Sequence, residues 1–125
     1  MNEAELKART KRFAVDIIEF ARTLPKEFVV LEITRQMIRS AMSVGANYRS
    51  SCRGRSDEEF IARLGVVEDE ADETMFWLEL LVDSNLVKRP VVARLINEAD
   101  EIVAIMVSSI RTARHRLAAR KSARR

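Results

Sequence analysis

The chain has 125 residues, 47% apolar and 33% charged, with only three glycines, two prolines and one cysteine. That length fits one domain, and so little Gly and Pro favours long uninterrupted helices over a turn-rich sheet. A lone cysteine, Cys52, excludes an internal disulfide, no apolar run approaches the ~20 residues of a membrane span, and no signal-peptide pattern opens the chain, so a cytoplasmic protein is expected.

The apolar residues step by three and four throughout, which predicts four helices and no strand. The first helix runs over about residues 3–24, with Leu6, Phe13, Ile17, Phe20 and Leu24 on one face, and Pro25 stops it. The second covers about 28–52, with Leu31, Thr34, Ile38, Ala41, Gly45, Tyr48 and Cys52 as its inner face. Five of the seven side chains at 40–46 are Ser, Ala or Gly, so another helix can come close there. Gly45 costs on the order of 1 kcal/mol against Ala in a helix interior, and close packing or a kink would explain it.

The third helix covers about 57–84 and starts at a capping box. Ser56 can accept from the Glu59 amide while Glu59 reaches back to the Ser56 amide, and Asp57 and Glu58 suit the positive end of the dipole. Phe60, Leu64, Val67, Ala71, Met75, Leu78 and Val82 form its stripe, and Asn85 is placed to cap its end. The fourth helix covers about 90–119, with Pro90 in its first turn. Val92, Leu95, Ala99, Ile102, Met106, Ile110, Ala113 and Leu117 form the stripe, while Ile96, Val103, Ile105 and Val107 widen it. That extra face points either to a partner subunit or to a wide core stripe. Short connections make neighbouring helices antiparallel, giving an up-down-up-down four-helix bundle over residues 1–120. Residues 121–125 read as a disordered basic tail.

The net charge of +3 is uneven. Residues 111–125 hold seven Lys/Arg and no acid, leaving 15 basic against 19 acidic side chains in the rest. Such a tail either contacts polyanions or simply keeps the protein dispersed.

Two blocks carry a family resemblance: IRSAMSVGANYRSSCRGRSDEEFIARLG at 38–65 and EADETMFWLELL at 70–81. With helices of matching length on either side, roughly residues 13–110 resemble the four-helix bundle proteins related to the 23S ribosomal RNA intervening-sequence protein. That family is also similar to the accessory variability protein of diversity-generating retroelements. The resemblance implies a bundle that assembles into a ring, a homopentamer, associated with RNA or other nucleic acid. The partners it leads one to expect are further copies of the chain, RNA or single-stranded nucleic acid, and a nucleic-acid-processing protein, with no membrane. Many relatives carry Pro where this chain has Gly45, and an acidic residue with Gly soon after the Asn. The run Asn47-Tyr48-Arg49-Ser50-Ser51-Cys52-Arg53 makes this corner more basic.

The candidate nucleic-acid contacts are Arg49, Arg53 and Arg55 at the corner between the second and third helices, and Arg111, Arg114, Arg116, Arg120 and Lys121 near the C-terminus. The corner arginines could grip phosphates or neutralise the acidic helices of a neighbour. Glu68 and Asp72 lie near the apolar stripe of the third helix. They read either as a solvated face or, with Arg39 and Asn47, as a structural polar network. The acidic run Glu68, Asp69, Glu70, Asp72, Glu73 lacks the Glu-x-x-His pairs of a di-iron bundle, since the sole histidine, His115, sits near the C-terminus. No metal or cofactor is therefore expected. Cys52 has no helper for nucleophilic work and reads as a packed thiol. Trp77 and Tyr48 could stack on bases, but their helical spacing favours core or subunit interface. The expected function is a non-enzymatic oligomeric bundle associated with RNA through basic surfaces. The rival is a structural or protein-interaction scaffold that binds no nucleic acid.

Overall fold

A computed structural model describes residues 1–125 and contains four helices and no strand: α1 (Glu3–Ala21), α2 (Phe28–Ser51), α3 (Asp57–Asp83) and α4 (Arg89–Ala123). Each boundary has a local cause. Asn2 caps α1 by accepting from the Glu5 amide at 2.8 Å. The helix ends three residues before Leu24 because its last turn tightens: the Thr23 amide bonds Phe20 O and the Leu24 amide bonds Ala21 O.

The α2 N-cap is Glu27, whose carboxylate accepts from the Val29 and Val30 amides. Ser56 caps α3 and accepts from the Glu59 amide at 3.1 Å. The reciprocal half of the expected box is displaced by one residue: Glu59 accepts from the Arg55 amide at 3.2 Å, not from Ser56. At the other end of α3, Asn85 stands at φ 59°. Its amide bonds Val82 O while the Leu86 amide bonds Leu81 O, the paired closure that satisfies the last carbonyls of a helix. Helix α4 carries Pro in its first turn.

The core is one contiguous cluster running the length of the bundle. Phe13 and Ile17 of α1, Met37 and Val44 of α2, Leu64, Leu78 and Leu81 of α3, and Ile102 and Met106 of α4 are fully enclosed. Helix α2 packs closely on both α1 and α3, and α3 on α4, while α4 meets α1 only lightly. Polar groups mark two of these seams. Ser40 of α2 and Thr74 of α3 share a buried hydrogen bond. Arg9 of α1 forks onto Glu98 of α4 at 2.7 and 2.8 Å and also reaches Glu101. The small-residue segment does what its composition suggests. A Cβ built on Gly45 would sit 3.4 Å from Thr10 O and 3.6 Å from Lys11 Cα, so α1 backbone lies directly against it.

The inner face of α2 differs from the sequence reading. Thr34, Ala41 and Tyr48 are buried as read, but Ile38, Gly45 and Cys52 are only half-buried and Leu31 is exposed, while Val30, Ile33, Met37 and Val44 complete the enclosed arc. Residues 28–31 are all apolar, and α2 has to face α1 and α3 at once, which rotates the buried arc by about one residue. The extra apolar residues of α4 are largely absorbed within the chain, since Ile96, Val103 and Ile105 pack on the core. The exposed apolar side chains stand mainly on α2 and α3: Phe28 at 80%, Met42 at 49% and Phe76 at 54%. The expected tail is also shorter than read, because α4 continues helically to Ala123. Arg120 pairs with Asp57, and Lys121 lies 4.0 Å from Glu58, tying the last turns of α4 to the first turn of α3. No helix is long and apolar enough to cross a membrane.

Candidate nucleic-acid interface

The candidate arginines gather around one end of the bundle, where α2 ends, α3 begins, α1 begins and α4 runs out. They do not form one patch; the helix grooves divide them. Arg49 and Arg53 lie along a trough between α1 and α2, together with Lys7 and Lys11. Arg55 meets Arg116 and Arg120 in a pocket at the α2–α3 corner that also holds Glu3, Asp57 and Cys52. Arg111 and Arg114 line a wider groove between α3 and α4, of ≈780 Å³, beside His115 and opposite Glu68 and Asp69.

The three places differ in electrostatics. Arg120 and Lys121 are engaged with Asp57 and Glu58 of α3, so two of the eight candidates carry less free charge than the sequence suggested. Arg49, Arg53, Arg55, Arg111, Arg114 and Arg116 take part in none of the ion pairs. The α3–α4 groove mixes both signs, and the corner pocket contains two carboxylates. The α1–α2 trough alone is lined by cations without an acid.

Lys7 and Lys11 were missed by the sequence reading. They sit on the polar side of α1, where a lysine is usually a solvated surface residue. The legible signal was their four-residue spacing, matched by Arg49 and Arg53 across the small segment of α2.

The polar network between α2 and α3 uses different acids from those expected. Arg39 lies 3.5 Å from Glu70 and 2.5 Å from Glu73. Glu68 and Asp72 make no ion pair, because the helical period turns Glu68 toward α4 and Asp72 outward. Asn47 accepts from Arg63 at 3.3 Å and donates back to Ser43 O at 2.9 Å. Burial pushes the Glu70 carboxyl above the usual range; Arg39 opposes this and Glu73 adds to it. Glu70 Oε2 has no hydrogen-bond partner.

The remaining candidates read as structural. Tyr48 is buried in the core. Trp77 is half-buried, donates to Glu73 at 3.1 Å and meets Phe76 edge to face at 5.0 Å. The Cys52 thiol is pushed up by burial and by the charge of Glu3, which works against a thiolate nucleophile. No three His, Cys, Asp or Glu side chains converge as metal ligands.

A model of the 23S rRNA-intervening sequence protein family matches residues 2–108. The chain belongs to that family. A crystal structure of a protein with unknown function from the S23 ribosomal protein family of Bacteroides thetaiotaomicron VPI-5482 is similar to this family member at 32% identity. The alignment covers 89% of this chain and 99% of that one, with a TM-score of 0.82. No curated protein matches the chain. The match to the family model stops within α4, before Arg111, so the candidate arginines of the C-terminal stretch lie outside it.

Proposed function

We propose that this 23S rRNA-intervening sequence family protein is a non-enzymatic, cytoplasmic helical bundle that binds RNA through the basic end of the molecule. The observation carrying the reading is that six arginines free of ion pairs line three grooves in the half of the molecule where α2 gives way to α3. Phosphates are their natural ligands, because a guanidinium offers a fork of donors matched to phosphate oxygens. Residues 1–110 hold 15 basic and 19 acidic side chains, so the net positive charge of the chain comes from its C-terminal stretch. Contacts of this kind position a strand without reading its sequence.

The same proposal includes an antiparallel up-down-up-down topology and assembly into a homopentameric ring. Cross-helix partners support the topology: from Arg9 to Asp16 along α1 the α4 partners run back from Glu98 to Arg94, from Arg39 to Asn47 along α2 the α3 partners run back from Glu73 to Arg63, and Arg120 near the end of α4 meets Asp57 at the start of α3. Exposed Phe28, Leu31 and Phe76 support assembly, since exposed apolar side chains of this size on a small chain ask for cover. A ring would present several basic ends at once and raise avidity. A nucleic-acid-processing protein is a fitting further partner.

The test is a fluorescence-anisotropy titration of the intact protein and an Arg49/Arg53/Arg55→Ala variant against structured and single-stranded RNA at two salt concentrations. Binding that weakens steeply with salt and falls in the variant is the expected result. Absence of binding at low salt would leave the scaffold reading, which the pairing of Arg120 and Lys121 with α3 already favours. Sedimentation settles the assembly: a stable monomer of 14.3 kDa at micromolar concentration is incompatible with a ring.

A further inference from the structure

We infer that the trough between α1 and α2 is a seat for the backbone of a single-stranded polynucleotide, with Lys7 and Lys11 as contact residues alongside Arg49 and Arg53. The inference rests on the nucleic-acid reading above and deepens it, by choosing one of the three grooves and the form of strand that enters it.

The trough encloses ≈480 Å³, and its shape follows from small residues. Ala14 on α1 and Gly45 and Ala46 on α2 put no bulk into it. At Gly45 the α1 backbone already stands at van der Waals distance from where a Cβ would be, so the two helices meet and close the floor. Above that floor the walls carry cations in two rows. Lys7 and Lys11 are one turn apart on α1, about 6 Å of helix rise, while Arg49 stands in the last turn of α2 and Arg53 in the turn just beyond its end. All four are exposed, and none is engaged by a carboxylate. Exposed cations repel one another only weakly in water, and an anion lying along the trough is within reach of all four without displacing a carboxylate first.

The occupant has to be a chain of negative charges thin enough to lie between two touching helices. A duplex is too thick for the trough and could reach only its rim, whereas a single strand can lie along it with consecutive phosphates on alternate walls. An acidic protein segment is the weaker fit. No aromatic lines the trough, and Met42 is its one large apolar side chain, so the buried anchor that holds a protein partner is missing. The charged lining groups are all donors, and no side-chain acceptor is present to receive a 2′-hydroxyl proton. Single-stranded RNA and DNA of equal length should therefore bind alike.

The experiment uses the full chain, with labelled single strands of about 12 nucleotides, oligouridine and oligothymidine, a perfect RNA duplex and a polyglutamate peptide. Anisotropy is followed from about 50 to 200 mM salt. The variants are Lys7→Gln/Lys11→Gln, Arg49→Gln/Arg53→Gln, and Lys88→Gln/Arg89→Gln, which removes two cations at the far end of the bundle. Circular dichroism and melting temperature check that each variant is folded as the parent is. Each trough pair should lower the slope of log affinity against log salt by about 1.4, since a single-strand phosphate contact contributes about 0.7, and the Lys88/Arg89 pair should leave it unchanged. If the parent binds both strands but Lys7→Gln/Lys11→Gln keeps its slope, the seat is wrong while the nucleic-acid reading stands. If the parent binds no polynucleotide, both fall. Preference for the duplex, or displacement of the strand by polyglutamate at equal charge, also overturns the assignment.

Discussion

The hydroxyls of Ser40 and Thr74 lie 2.7 Å apart in the buried part of the seam between α2 and α3. Both residues are fully enclosed. Each hydroxyl has a single proton, so whichever of the two donates across the seam, the other donates within its own helix, Thr74 to Glu70 O at 2.8 Å or Ser40 to Met37 O at 3.0 Å. The cross-helix bond therefore acts mainly on register. It fixes which turn of α2 faces which turn of α3.

Thr74→Val keeps the shape and removes one hydroxyl. The Ser40 hydroxyl retains Met37 O, so the cost should be about 1 kcal/mol, the ordinary value of a buried hydrogen bond with no orphan left behind. For a chain of this size that is a fall of roughly 4 °C in melting temperature. A loss several times larger would mean that the pair holds the seam together rather than setting its register.

The glycines of α2 and α3 should respond oppositely. Gly65 has nothing within 4 Å of a built Cβ, so Gly65→Ala adds helix propensity without a clash and should stabilise by up to about 1 kcal/mol. Gly45→Leu must push against Thr10 and Lys11 backbone and should cost about 1–3 kcal/mol. Urea midpoints of the two variants give the comparison directly. Equal stability for Gly45→Leu would contradict the close approach of α1 and α2.

Glu70 sets a pH dependence. Its side chain is only 18% exposed, and burial raises its pKa in the folded protein above the unfolded value. The folded state therefore binds this proton more tightly than the unfolded chain does. The stability Glu70 contributes is greatest below its unfolded pKa and declines as pH rises through the folded one. Glu70→Gln should melt higher than the parent at neutral pH, and the gap should close as pH falls into the ordinary carboxylate range. A gap of the opposite sign at pH 7 would mean that attraction to Arg39 outweighs burial.

Asp57 restrains one of the candidate RNA contacts. Asp57→Asn releases Arg120 from its ion pair while leaving the α3 cap at Ser56 intact. The change should cost no more than about 1 kcal/mol, through the lost charge at the α3 N-terminus. If Arg120 then reaches a phosphate, the salt slope for single-stranded RNA steepens by about 0.7. An unchanged slope would assign Arg120 wholly to holding α4 against α3.

The fold was legible because long stretches of this sequence repeat one period. The number of helices, the stop near Pro25, the Ser56 cap and the turn at Asn85 all follow from local chemistry, and the structure places them where that chemistry puts them, within a few residues. What could not be read was which of two adjacent apolar arcs would turn inward. Leu31 and Val30 are equally apolar, and only the simultaneous demands of α1 and α3 decide between them. The candidate site was legible as a list of arginines and illegible as a set of grooves. Arg49 and Arg111 look alike in sequence, yet one faces lysines and the other faces Glu68 and Asp69. Lys7 and Lys11 acquire meaning only when α1 lies against α2. Arg39 likewise finds Glu70 and Glu73 because helix rotation, which the run of acids does not reveal, presents those two to α2.

The bundle resembles a ribbon rolled until its edges nearly touch. Three of its seams are zipped by interlocking side chains, and the fourth, between α1 and α4, is laced by Arg9 with Glu98 and Glu101 and by Asp16 with Arg94. Dissolved ions loosen lacing far more than zipping. Raising ionic strength should therefore speed amide hydrogen exchange first along this edge of α1, well before the α2–α3 seam responds. If a strand binds at the basic end as proposed, the same salt that strips it off would slacken the helix carrying Lys7 and Lys11, and one ionic dial would set both grip and breathing.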